Sequence, residues 1–477
     1  MALAACGTTT QVPPGGPGQT SDGLAVAPPP QGGAAAGGQS LPQGGAAGAL
    51  GGGGAAVGAG TAANGSRTEA TAPTATSAAS AVAGHEPVRV GVLYVKDAGS
   101  GGSAIGVQGL ETGDAQAQAK AVIAWINEHG AAAGHQLVPY FAGVSFEDSV
   151  QNPETAEQAA CTQLTQDDHV QFVVSYLGLF TSTIQCFAKG GAAVLDDQSS
   201  LADWSQQRYA SAFAAPGDLA PGRMLRELVD ALWRTGWLTK TSKVGTYAYD
   251  DNDSRRLVGS NLAQALAAHG LKIAKEEFIS NDGNGFAQSG NVTLQFRSAG
   301  VDRVIPVLAS PLFIMHSASS QGYHPEYAMY STFGPGALME TAAPKDQLTG
   351  SRGIGWSPYL DIGGGTHPGP VNANETLCFD IYGKSGQSSS AATTKGLQLN
   401  LCSVLLYLKF AADRVVSVPA DLLGQARPLV GATFPPADTF RSDVRYHPDG
   451  AAGYRDLAYE QGCGCYQYVS TVHRTSR

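Results

Sequence analysis

The segments VRVGVLYV (88–95), KDAGSGGSAIG (96–106) and the following stretch, which ends in AVIAWINEHG (121–130), decide the fold. The first is apolar and β-branched with one charge, a pattern typical of a strand buried on both faces of a parallel sheet. The second predicts a Gly/Ser loop. The third predicts a helix that ends at Gly130 and packs closely on a sheet through a stripe of mostly small residues. That stripe comprises Leu110, Gly113, Ala117, Ala121 and Ala124. Strand, loop and helix open a βαβ unit, in which ligands lie at the carboxyl ends of the strands.

The glycines of this loop do not complete a dinucleotide-binding motif. Gly99 and Gly101 match the start of G-x-G-x-x-G, but the third glycine is replaced by Ala104. The first glycine also lies four residues after Val95. We therefore interpret the segment as a flexible loop that faces a ligand, and a nucleotide-binding enzyme is the weaker alternative.

Length and charge limit the function further. The chain has 477 residues and a formal net charge of -10, which argues against nucleic-acid binding and against a basic surface for anionic lipid. Residues 1–84 are mostly Gly, Ala, Pro, Ser and Thr, so we expect a disordered tether followed by two domains of ordinary size. No apolar run reaches the length of about 18 residues that a membrane-spanning helix needs.

The first residues contain Leu3-Ala4-Ala5-Cys6, which resembles a bacterial lipobox whose Cys becomes the lipidated N-terminus. Cys6 precedes the tether, and residues 7–84 have a mean span of roughly 50 Å as a random coil. A basic segment and an apolar segment of a signal peptide should precede the Cys, whereas only five residues do. The alternative is a Cys without function in a flexible tail.

Strand and helix patterns alternate in two successive series. The first runs from residue 88 to 213 and the second from 244 to 332, with an amphipathic helix over 216–236 between them. A long helix over 394–413 and a strand-like segment over 455–469 follow. The pattern predicts an α/β fold with two doubly wound parallel-sheet lobes.

Five segments together carry a family resemblance. They are VRVGVLYV with GLETGDAQAQAKAVIAWINEHG, FEDSVQNPETAEQAA, VQFVVSYLGLFTST, KVGTYAYDDNDS and VDRVIPVL. By their order and spacing, the chain from Val88 onwards resembles the type I periplasmic solute-binding proteins, in the branch that binds branched-chain amino acids (Leu/Ile/Val). The resemblance covers about four fifths of the chain.

The resemblance implies a two-lobed clamshell joined by a three-strand hinge near Ala214, Trp356 and Pro436. The first lobe would comprise residues 85–215 and 356–436, and the second residues 216–355 and 437–477. It also implies a monomeric extracytoplasmic receptor, lipid-anchored, that captures a small polar or amino-acid-like solute for the permease and ATPase subunits of an ABC importer. The alternative is a clamshell that senses a ligand and regulates a partner protein. We expect no enzymatic activity, cofactor or metal, since no G-x-S-x-G or H-E-x-x-H motif is present.

Loops at the strand ends of both lobes would face the cleft of such a clamshell. They supply the candidate ligand-binding residues Ser100, Phe180, Thr181, Ser182, Asp197, Ser199, Asp250, Ser310 and Phe333. Hydroxyls and N–H groups where a helix begins at Thr181 can hold a ligand oxygen, although ordinary capping by Thr181 explains the same residues. Asp250-Asp251-Asn252-Asp253 resembles a calcium loop but lacks its Gly and Glu, so we interpret it as a helix cap.

The chain differs from relatives that bind amino acids. They place an acid near position 333 for the ligand ammonium and a tyrosine near position 310, where this chain has Phe333 and Ser310. Asp196, Asp197 and Gln198 replace small residues after the fourth strand. Carboxylates in the cleft wall favour a ligand with hydroxyl groups or a positive charge, and Phe180 with Phe333 favours a partly apolar ligand. The identity of the solute therefore stays open.

An even number of cysteines follows the tether, which predicts disulfides in an oxidising compartment. They are Cys161, Cys186, Cys378, Cys402, Cys463 and Cys465. Neighbouring helices make Cys161–Cys186 and Cys378–Cys402 sterically reasonable pairs, and Cys463 with Cys465 can close a short, strained ring. Zinc is the weaker alternative, because a single Cys-x-Cys lacks a second pair of ligands.

Overall fold

A computed structural model describes residues 85–104, 110–176, 178–198, 201–365, 367 and 372–476. The predicted tether, Cys6 and the candidate Ser199 lie outside the described residues. Within the described part of the chain, none of the helices is both long enough and apolar enough to span a membrane.

Thirteen strands are described. They are β1 (Val88–Lys96), β2 (Leu137–Ser145), β3 (Phe172–Ser175), β4 (Ala193–Leu195), β5 (Phe213–Ala214), β6 (Val244–Tyr249), β7 (Ile273–Ile279), β8 (Arg303–Val307), β9 (Glu326–Tyr330), β10 (Arg352–Gly355), β11 (Gly453–Glu460), β12 (Cys465–Tyr468) and β13 (His473–Arg474). The first lobe contains a parallel sheet in the order β2-β1-β3-β4-β5. The second contains an eight-stranded sheet in the order β12-β11-β10-β9-β8-β6-β7, with β13 paired to β11.

The helices cover these sheets. They are α1 (Ala98–Ala104), α2 (Ala115–Glu128), α3 (Phe146–Gln151), α4 (Pro153–Thr162), α5 (Thr181–Lys189), α6 (Asp203–Arg208), α7 (Pro221–Arg234), α8 (Asn252–Arg256), α9 (Ala263–Ala268), α10 (Gly283–Ala299), α11 (Leu312–Ser320), α12 (Glu340–Ala342), α13 (Lys345–Leu348), α14 (Pro358–Asp361), α15 (Ala373–Lys384), α16 (Ala392–Val415) and α17 (Leu422–Val430). Short π-helical turns at Gln163–Asp167 and Leu257–Leu262 follow α4 and α8, a third lies at Pro335–Met339, and a 3-10 turn occupies Ser331–Phe333. The predicted α/β fold with two parallel-sheet lobes is therefore confirmed.

The first strand and helix differ in detail from the prediction. The predicted loop is the short helix α1, where Gly101 lies so close to Phe146 that an added Cβ would come within 2.4 Å of its ring. Helix α2 begins only at Ala115, because the Asp114 carboxylate accepts the Ala117 N–H at 3.0 Å. The predicted small-residue stripe is wrong: Ala124 is exposed, and larger apolar side chains face the sheet. The buried face comprises Ala115, Gln118, Ala119, Val122, Ile123 and Ile126.

The core of the first lobe is built from two distant parts of the chain. It combines residues between Val88 and Ala214 with residues between Cys378 and Val444, which include the nearly buried helix α16. The sequence did not predict α15 or α17. It also predicted one strand-like segment over 455–469, where the structure has the antiparallel hairpin β11–β12.

Two segments that connect the lobes run side by side. Ala215 N donates to Pro448 O at 2.9 Å and Gly450 N donates to Ala215 O at 2.8 Å. Ala451 N also donates to Asp218 O at 2.8 Å. Backbone bonds therefore tie the first connection between the lobes to the last one, and this pairing forms a hinge. The lobe boundaries given above stay a prediction.

Candidate functional site

A cleft between the two lobes contains two adjoining cavities, of about 550 Å³ and about 280 Å³. Ser149, Gln198 and Thr332 line both cavities, so the two are continuous. The larger is lined mainly by polar groups of α4, α5 and α8, and the smaller mainly by apolar side chains. The cleft can therefore hold a ligand with a polar part and an apolar part.

Helix α5 begins at the wall of the larger cavity. Its N-cap residue is Phe180, which makes no side-chain capping bond, so Thr181 does not cap this helix as the alternative interpretation had it. The Ser182 Oγ is buried and has no hydrogen-bond partner among the described residues. A helix N-terminus carries partial positive charge, and a hydroxyl beside it can complete a site for a ligand oxygen.

The Asp253 carboxylate connects the lobes across the mouth of the cleft. Its Oδ2 accepts a hydrogen bond from Thr181 Oγ1 at 2.8 Å, and its Oδ1 accepts one from Trp204 Nε1 at 3.0 Å. The Arg256 guanidinium lies 4.0 Å from the centre of the Trp204 ring. Thr181 and Trp204 belong to α5 and α6 of the first lobe, whereas Asp253 and Arg256 belong to α8 of the second. The structure is thus in a closed state.

The smaller cavity is apolar and aromatic. Tyr176 and Phe333 line it, and the Tyr176 hydroxyl donates to Gln118 Oε1 at 3.0 Å. Phe333 packs on Tyr330 with the ring centres 4.1 Å apart. Aliphatic side chains complete the wall: Val95, Leu110, Leu338, Leu360 and Leu397. An apolar ligand body gains burial here.

Glu157 lies in the wall of the larger cavity and is 3% exposed. Burial raises the pKa of its carboxyl to about 8. Its Oε2 accepts the Phe180 N–H at 3.1 Å, so this side chain positions the start of α5. At neutral pH the carboxyl is mostly protonated, and it adds little negative charge to the cleft.

Four of the predicted binding residues line the cleft, namely Phe180, Thr181, Ser182 and Phe333. Three others do not line either cavity. Ser100 is exposed on α1 and bonds to Asp97 O, Asp250 is exposed and paired with Arg255, and Ser310 lies at the start of α11. Asp251 caps α8 by accepting the Ser254 N–H at 2.7 Å, so the capping interpretation of the acidic run is confirmed.

Asp197 also lies elsewhere than expected. It was a candidate that should face the cleft, but Asp197 is 6% exposed and accepts the Gly217 N–H at 2.8 Å in the hinge. Burial, together with the charge of Asp438, raises the pKa of the Asp197 carboxyl. An added Cβ at Gly217 would lie 2.5 Å from an oxygen of Asp438 and 2.9 Å from one of Asp197, which places both carboxyls beside the same hinge glycine.

Several cleft residues escaped the sequence analysis. Gln198, Thr332 and Tyr176 line the cavities, and Asp253 with Trp204 connects the lobes. Gln198 directly follows the candidate Asp197, and Thr332 directly precedes the candidate Phe333, so both lie in strand-end loops that were expected to face the cleft. No local pattern marks Trp204, because its partner lies 49 residues later in the other lobe.

The structure contains the three bridges Cys161–Cys186, Cys378–Cys402 and Cys463–Cys465. The Cα atoms of the first two pairs are 6.3 Å and 6.0 Å apart, within the normal range for disulfides. Among the described residues, no group of three or more His, Cys, Asp or Glu side chains is placed to hold a metal ion. The Cys-x-Cys therefore forms a bridge.

This two-lobed geometry agrees with a comparison at the family level. Residues 87–363, more than half of the chain, match the family model of the periplasmic binding proteins. The chain belongs to this family. An extracytoplasmic location follows from the family, and no curated protein matches the sequence significantly.

Solved structures of periplasmic binding proteins share the clamshell fold at low sequence identity. A solute-binding protein of an ABC transporter from R. palustris, in complex with 4-hydroxybenzoate, has a TM-score of 0.56 at 12% identity and covers 82% of this chain and 97% of its own. A leucine-binding protein from Thermotoga maritima has 0.55 at 11%, covering 81% and 98%. A branched-chain amino acid binding protein from Streptococcus pneumoniae, in complex with isoleucine, has 0.53 at 12%, covering 81% and 99%.

Proposed function

We propose that the protein captures a small amphipathic carboxylic acid in the cleft between its lobes and delivers it to an ABC importer. The observation that carries this proposal is the division of the cleft into a polar and an apolar cavity. The unpaired Ser182 Oγ at the start of α5 suits a ligand carboxylate. Phe333 and Tyr176 then suit its apolar body.

The carboxyl groups of the cleft offer few free partners to the ammonium group of an α-amino acid. Four carboxyl side chains line the larger cavity: Glu154, Glu157, Asp251 and Asp253. The last three already accept hydrogen bonds from protein groups. Only the exposed rim residue Glu154 offers a carboxylate to a ligand ammonium within this described wall. The 4-hydroxybenzoate of the R. palustris relative is a ligand of the favoured kind, and leucine or isoleucine is the second candidate.

The proposed partners follow from this role. They are the permease and ATPase subunits of the importer, which would receive the solute from the closed clamshell. We also propose that Cys6 is lipidated and that residues 7–84 tether a monomeric receptor to the outer face of the membrane. The motif Leu3-Ala4-Ala5-Cys6 and the composition of the tether support this arrangement.

Calorimetry with the full chain tests the ligand class. We would titrate 4-hydroxybenzoate, other benzoates, aliphatic carboxylic acids, leucine and isoleucine into the protein. We expect a carboxylic acid without an amino group to bind more tightly than either amino acid. Leucine as the tightest ligand would contradict the proposed class.

A hydroxyl deletion tests the proposed polar wall. Ser182→Ala should weaken binding by about tenfold or more, because it removes one hydrogen bond to a charged group. Ser320→Ala is the matched control, since Ser320 is exposed on α11 and bonds only to Ser317 O. Equal affinity in both variants would show that the ligand carboxylate lies elsewhere.

A further inference from the structure

A further cavity, of about 510 Å³, lies outside the cleft, where the chain crosses between the lobes. None of its lining residues lines the cleft. Residues 432–436 of the lining follow α17 of the first lobe, and Phe434 is part of the first-lobe core. Arg223 on α7 and Arg474 on β13 come from the second lobe.

This hinge cavity is strongly basic, although the whole chain is acidic. Arg223, Arg441, Arg445 and Arg474 line it, against one carboxylate, Asp443. Arg445 neutralises Asp443 through a two-pronged contact, with Nε 2.9 Å from Oδ1 and a terminal nitrogen 2.5 Å from Oδ2. Arg441 and Arg474 are exposed, and their side chains have no hydrogen-bond or ion-pair partner in the described part of the chain. Two guanidinium groups are therefore available to a ligand.

Buried donors without partners also line the hinge cavity. Arg223 is 5% exposed and pairs with Asp449 and with Thr475, yet its Nε has no acceptor among the residues described. The fully buried Thr439 Oγ1 likewise has no partner within these residues. A buried polar group without a partner is costly, so such groups mark places where a ligand or water completes the structure.

We propose that the hinge cavity binds a small oxyanion, a carboxylate or a phosphate, held by Arg441 and Arg474 and completed by Arg223 and Thr439. Arginine suits these groups because its planar fork matches two of their oxygens. The four proposed ligand-binding residues belong to the second-lobe segments, and Phe434 of the first lobe lines the same cavity. The site is independent of the cleft ligand proposed above.

Calorimetry with inorganic phosphate and with citrate, at a constant ionic strength set with chloride, tests the proposal. We expect saturable binding of at least one of the two to the full chain. Arg441→Gln combined with Arg474→Gln should weaken it by about tenfold or more, the scale of lost charged hydrogen bonds. The control is Arg352→Gln combined with Arg414→Gln, which removes the same charge from exposed residues outside the cavity.

The outcomes separate the two ligand sources. Binding of phosphate alone assigns the site to phosphates, and binding of citrate alone assigns it to carboxylates. The absence of saturable binding of either probe, or an equal loss in the control variant, would overturn the proposal. Ser182→Ala should leave this binding unchanged, so failure of the cleft proposal and failure of the hinge proposal are distinguishable.

Discussion

Removal of the Asp253 carboxylate should open the clamshell. In the closed structure this group accepts one hydrogen bond from Thr181 and one from Trp204, and both donors belong to the other lobe. Asp253→Ala deletes both bonds and leaves Arg256 on the Trp204 ring. The variant therefore removes two polar connections at the cleft mouth, leaves the bond from Thr393 Oγ1 to Ala337 O in place, and changes the core of neither lobe.

The expected magnitude follows from these two bonds. A hydrogen bond to a charged group contributes about 1.5–3 kcal/mol, and solvent at the half-buried cleft mouth replaces part of that contribution. A net loss of about 2 kcal/mol lowers the ratio of closed to open molecules by roughly 30-fold. Since the cleft ligand contacts both lobes only when they are closed, its apparent dissociation constant should rise by up to the same factor.

Small-angle scattering of the ligand-free protein and calorimetry with the cleft ligand would measure these changes. The radius of gyration should increase in Asp253→Ala. Asp250→Ala is the matched control, because Asp250 lies three residues earlier, is exposed and pairs only with Arg255 of its own lobe. If both variants scatter and bind like the wild type, the Asp253 bonds do not hold the closed state.

Two further predictions concern stability. Burial raises the pKa of several carboxyls, among them Glu157 to about 8, Asp196 and Asp361 to about 7, and Asp438 to about 6. A carboxyl whose pKa is raised by folding stabilises the fold while protonated, and this contribution is lost as the pH rises through the folded pKa. The urea concentration at the midpoint of unfolding should therefore decrease as the pH is raised from 5 to 8.5. An unchanged midpoint would refute the raised pKa values. Replacing Cys378 and Cys402 by Ala, which opens a bridge spanning 24 residues, should lower the free energy of unfolding by about 3 kcal/mol. Urea unfolding under non-reducing conditions would measure this loss, and a loss below about 1 kcal/mol would contradict it.

Local sequence patterns predicted most of the elements of both sheets. The sequence pattern predicts a helix over 181–189 and strands over 244–249 and 273–279, and α5, β6 and β7 have these bounds, because apolar residues alternate with clear polar breaks there. Helix α15 was missed, although Asn372 caps it by accepting the Asn374 and Glu375 N–H groups. The prediction for α2 placed small residues such as Ala121 against the sheet. In the structure the buried face is rotated by about one residue, so that the larger Val122 and Ile123 pack there.

The site was predicted less completely than the fold, because a cleft depends on how two lobes meet. Strand ends identified Phe180, Ser182 and Phe333, which line the cleft. Asp197 follows a strand end as well, but the chain there turns into the hinge and buries the carboxylate beside Gly217. A contact such as Thr181 with Asp253 spans 72 residues and leaves no periodic signal.

The divided core of the first lobe has a consequence for synthesis and export. Residues 378–444 complete a core that begins at Val88, so the final fifth of the chain is needed to close a lobe whose sheet is made first. A nascent chain that stops before Cys378 leaves apolar side chains such as Val90 and Phe172 without the helices that cover them. The two lobes therefore cannot fold one after the other as they leave the ribosome. For most of its translation a newly made chain therefore lacks the complete core of its first lobe, which leaves apolar surface open to chaperones and proteases.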